Sequence, residues 1–86
     1  MSTITALAQE QCGPRAQVLK VLAEKYGETR QSLGISANNT VMEVFAAEAG
    51  SWTITATDPK GSMCLVASGE GYEAVVEVLS SEGGPS

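Results

Sequence analysis

Between residues 14 and 26 the apolar side chains Val18, Leu19, Leu22 and Tyr26 recur at i, i+1, i+4 and i+8, while Arg15, Lys20, Glu24 and Lys25 fall on the other side. That spacing predicts one amphipathic helix. Pro14 suits its first turn, where a missing N–H leaves nothing unpaired, and Gly27 suits its left-handed end. From residue 30 the period drops to two, the signature of strands. Leu33 and Ile35 share one face of a strand over 30–36, and Ala37-Asn38-Asn39 supplies turn chemistry. In 40–47, Met42, Val44 and Ala46 alternate with Val41, Glu43 and Phe45. The alternation is cleanest in 51–57, where Trp52, Ile54 and Ala56 are expected to face inward toward the helix and Thr53, Thr55 and Thr57 outward. A fourth strand over 62–68 follows the Asp58-Pro59-Lys60-Gly61 turn, with Cys64 and Val66 on one face and Met63, Leu65 and Ala67 on the other.

Turns this short pair each strand with its sequence neighbour. The expected fold is therefore α+β: an N-terminal helix packed on a four-stranded antiparallel β-meander. Tyr72, Val75, Val76 and Leu79 fall at i, i+3, i+4 and i+7, which suits a short C-terminal helix, although 74–79 is β-branched enough for a strand. The domain is read as 12–79, between an N-terminal segment over 1–11 and a flexible Gly/Ser/Pro-rich tail over 80–86.

Composition then narrows the function classes. With 86 residues, the chain has one thin core and no room for a deep, walled active-site cleft. It contains no histidine, which removes Ser-His and Cys-His catalysis, His-metal sites and the usual near-neutral proton shuttle. Net charge −5 disfavours nucleic acid and anionic membrane surfaces as partners. No apolar run approaches the roughly 20 residues of a membrane span, so no membrane insertion is expected. Ala6-Leu7-Ala8 before Gln9-Glu10 has the small-x-small form of a signal-peptidase site. Residues 1–5 supply neither a basic start nor an apolar run, so the segment reads either as a signal-peptide remnant or as a polar tail.

Cys12 and Cys64 lie 52 positions apart, without the spacing of a redox or zinc motif. They read either as one disulfide or as two buried thiols that pack like small hydrophobes.

The runs Cys12-Gly13-Pro14-Arg15, 22–30, Glu43-Val44-Phe45-Ala46, 50–54 and 64–69 resemble a family of small secreted, periplasmic alphaproteobacterial proteins of unknown function. The likeness covers about residues 12–72. It implies the periplasm rather than an activity, and in that oxidising compartment a Cys12–Cys64 disulfide.

Candidate chemistry is sparse. Glu24, Glu28, Glu43, Glu48, Glu70 and Glu73 show no paired arrangement for glycoside hydrolysis and read as a solvated surface. Gly69-Glu70-Gly71 lacks the Gly-Lys-Ser/Thr of a phosphate loop, and Ser68 lacks both a flanking glycine and an activating histidine. Cys12, beside a helix start, is the one credible nucleophile if its thiol is free. Trp52 reads as core. The outward face, with Phe45, Thr53, Thr55, Met63 and Leu65, is the candidate partner surface, for another protein or for self-association. The expected function is a non-enzymatic periplasmic protein-binding or envelope-assembly module without cofactor or metal. The alternatives are a cytosolic acidic regulator with free thiols or a thiol-based redox enzyme.

Overall fold

The computed structural model describes residues 11–77. The chain runs β1 (Gln11–Pro14), α1 (Arg15–Glu24), β2 (Thr29–Ile35), β3 (Val41–Ala46), β4 (Trp52–Thr57) and β5 (Ser62–Gly69). The fold is α+β, as expected, but the sheet has five strands rather than four. Its order is β1-β5-β4-β3-β2. The extra strand begins at Gln11, inside the expected N-terminal tail. Four residues containing Cys, Gly and Pro carry no alternation to betray a strand. They form one by pairing with β5, Cys12 opposite Cys64 and Pro14 opposite Ser62.

Every neighbouring pair is antiparallel, so β1 and β2 run parallel to one another at opposite edges of the sheet. A helix must connect them. The five strands span about 19 Å at their usual spacing, and the ten residues of α1 are about 15 Å long. With its end turn, α1 therefore suffices to cross the whole sheet. Its start is fixed by the Arg15 N–H, which donates to the Gly61 carbonyl at 3.1 Å. At its end Gly27, with φ 66°, closes the helix by donating to the Ala23 carbonyl.

The helix covers the face opposite to the one expected. Leu22, Phe45 and Met63 form the buried core, with Val18 and Leu19 packed against it. Thr53, Thr55 and Thr57 lie on this same covered face, paired with Phe45, Glu43 and Val41 of β3, and all three are buried. Trp52, Ile54 and Ala56 look the other way. Alternation alone could not decide, because both faces carry large apolar residues and threonine methyls pack as well as they solvate. The arginines decide it: Arg15 on α1 and Arg30 on β2 both reach Glu43, which can meet them only on the threonine side.

Two bulges interrupt the alternation, one between Arg30 and Ser32 and one between Ile54 and Thr55. The second leaves Val66 without a partner, so Ala67 shares a face with Cys64 rather than with Met63. Residues 72–77 form no helix. The Tyr72 N–H donates to the Gly50 carbonyl at 3.0 Å, which holds the segment against the β3–β4 turn, and Val75 and Val76 remain exposed. The last two residues of the expected C-terminal helix, 78–79, and the tail over 80–86 lie outside the described residues.

Candidate functional site

The residues singled out as a partner surface are not on the surface. Thr55 and Met63 are 0% exposed, and Phe45 and Thr53 are 4% exposed. Leu65 is half-buried beside them on the covered face. Once α1 lies on the threonine side, Phe45, Thr53, Thr55 and Met63 are the floor of the core and present no surface to a protein partner.

Glu43, read from the sequence as solvated, is 0% exposed at the middle of β3. One carboxylate oxygen, Oε2, accepts from Arg15 Nη2 at 2.7 Å and from Arg30 Nη1 at 3.0 Å. Both are charge-assisted bonds that offset the desolvation of the carboxylate. The other oxygen, Oε1, has no partner among the described residues, nor do the buried hydroxyls of Thr55 and Thr57. The arrangement locks the start of α1 to β3 and to the edge strand β2. A signal for it was present: Glu43 is the lone charge in Val41–Ala46, on the Phe45 side of that strand. Glu28 is also buried, its N–H donating to the Leu22 carbonyl at 2.9 Å beneath the end of α1.

Cys12 and Cys64 are joined, directly opposite each other in the β1–β5 ladder. Neither thiol is free, so Cys12 has no nucleophilic sulfur to offer. A bridge of this kind fits an oxidising, extracytoplasmic compartment. Among the described residues no helix is long and apolar enough to cross a membrane. Nor do any three His, Cys, Asp or Glu side chains among them gather to hold a metal ion.

Among the described residues, no element covers the other side of the sheet. Strand register places Met42, Val44, Ala46, Trp52, Ile54, Ala56, Cys64 and Ala67 there. On β2 and β1 the same face continues through Thr29, Ser32, Gly34, Cys12 and Pro14, so that no Asp, Glu, Lys or Arg occupies a paired position on it. At one end the Trp52 indole N–H donates to the Glu70 carbonyl at 3.0 Å, and the ring lies across Gly69. Past this corner, Val44, Ile54 and Ala56 are only half-buried and Met42 is exposed. The alternation in the sequence places Trp52, Ile54 and Ala56 inward against the helix instead, and gives Met42 and Val44 only a shared face. No family model, curated protein or solved structure matches the chain.

Proposed function

We propose that the chain is a non-enzymatic periplasmic module that binds an envelope protein through the open, charge-free face of its sheet. The observation that carries this reading is the row Met42, Val44, Ile54 and Ala56, covered by no element among the described residues and with no charged residue among its cross-strand partners. Five strands of about six residues present a face of about 400 Å², at the size where an apolar patch on a small protein marks an interaction site. The disulfide supports the compartment.

The partner is expected to offer an apolar surface flanked by basic residues. The chain carries ten acidic against five basic residues. Arg15 and Arg30 are already occupied by Glu43, while Glu48, Glu70 and Glu73 stand exposed around the Gly50–Tyr72 contact at one end of the face. Long-range attraction would thus speed encounter with a cationic rim.

A photo-crosslinking residue at Ile54, compared with one at Lys20 on the exposed side of α1, tests this in cells that export the protein. The expected result is a defined heavier adduct from position 54 alone, lost when Val44→Lys is added to the folded protein. Equal adducts from both positions, or none from 54, would defeat the reading. An adduct of twice the chain's mass would transfer the face to a second copy.

A further inference from the structure

We infer that the cleft between the end of α1 and the second half of β5 binds a small organic cation, an ammonium or guanidinium with a short apolar tail, on the carboxylate of Glu28. This site lies on the helix side of the sheet and does not depend on the partner-binding reading.

The cleft has a volume of about 200 Å³, with Leu22, Tyr26, Glu28, Thr53, Leu65 and Ser68 among its walls. That is room for about seven waters at their liquid volume, or for a small amine. Glu28 is 4% exposed, and its Oε1 has no hydrogen-bond partner among the described residues. Burying a carboxylate oxygen without a donor is unfavourable, by more than for any neutral polar atom. A ligand that brings both a proton donor and a positive charge removes that penalty.

The surroundings select such a ligand. Among the described residues no Lys or Arg lines the cleft, and Glu70 adds a second acidic residue to its lining. Among the described residues, the ion pairs formed by arginine both go to Glu43 rather than to Glu28. Lys25, three residues before Glu28, has its Nζ 5.9 Å from the Tyr26 ring centroid and makes no ion pair among the described residues. Tyr26 also lines the cleft, while Leu22 and Leu65 receive an apolar tail.

The test is titration of n-butylammonium chloride into the oxidised full chain, with sodium butyrate and n-butanol as controls at equal ionic strength. Trp52, the sole tryptophan, reports by fluorescence, and backbone amide shifts locate the site. Saturable shifts at Glu28, Thr53 and Ser68 are expected with butylammonium only. Glu28→Gln should weaken binding by at least about tenfold, the loss of a charge-assisted contact. Ser68→Tyr, at an exposed wall position, should block it without disturbing the core. A response that does not saturate, equal binding of butanol, or unchanged affinity in folded Glu28→Gln would overturn the proposal. Should Glu28→Gln fail to fold, full binding by Ser68→Tyr would overturn it instead.

Discussion

Replacing both arginines that hold Glu43 is expected to destabilise the domain by more than the sum of the two single replacements. Methionine is the substitution of choice, because it keeps much of the apolar stem that an arginine lays across its neighbours. Arg15→Met leaves Arg30 on Oε2 at 3.0 Å, and Arg30→Met leaves Arg15 there at 2.7 Å. The arginine side chains are 36% and 52% exposed, so water recovers part of each lost bond, and each single replacement should cost about 1 kcal/mol. The double variant is different in kind. It strands a carboxylate of 0% exposure with no cation at all, a situation that costs about 3–5 kcal/mol.

Urea unfolding of the four proteins measures this directly. With a slope of about 1 kcal/mol/M, each single variant moves the midpoint by about 1 M, and the double variant moves it by about 3 M or more. Adding Glu43→Met to the double variant should restore much of the loss, since it removes the stranded charge together with the unpartnered Oε1. Additivity of the two singles within about 0.5 kcal/mol, or a triple variant no more stable than the double, would refute the account of Glu43 as a buried charge held by two cations.

Two further outcomes follow from the fold. Reducing the Cys12–Cys64 bridge, which closes a separation of 52 residues, should lower stability by about 4 kcal/mol on the chain-entropy account. Paired unfolding curves with and without reductant check it, with a two-dalton mass change confirming the chemistry. Gly69→Ala would place a methyl 2.9 Å from Trp52 Cζ2. It should displace the indole from its bond to Glu70, at about 1–3 kcal/mol, seen as a shift in tryptophan emission together with a lower unfolding midpoint.

The helix and the four-strand meander were legible because their signals are local. Helical spacing of Val18, Leu22 and Tyr26, the turns at Asn39 and Asp58, and the period of two in Trp52–Thr57 each depend on a few neighbouring residues. The choice of covered face was not legible, because it is set by contacts between distant residues, above all Arg15 and Arg30 with Glu43. Strand β1 was missed for a related reason: Gln11–Pro14 has no strand pattern of its own and exists through its pairing with β5. The candidate site inherited the face error. Phe45 and Met63 were correctly grouped with the threonines, but the group faces the helix. Glu28 stayed hidden because nothing in a sequence separates a buried glutamate beside a helix end from a solvated one.

The parallel placement of β1 and β2 at opposite edges bears on the order in which the domain assembles. β2 to β5 form by joining nearest neighbours, the quick kind of contact, whereas β1 must wait for β5. Among the described strands the first in chain order is therefore expected to be seated last, with Cys12 meeting Cys64 once the meander presents it. Until then α1 is tethered at one end alone, and the threonine face it will cover is open to solvent and to chaperones. On that order oxidation follows the meander and seals β1 onto a sheet that has already formed.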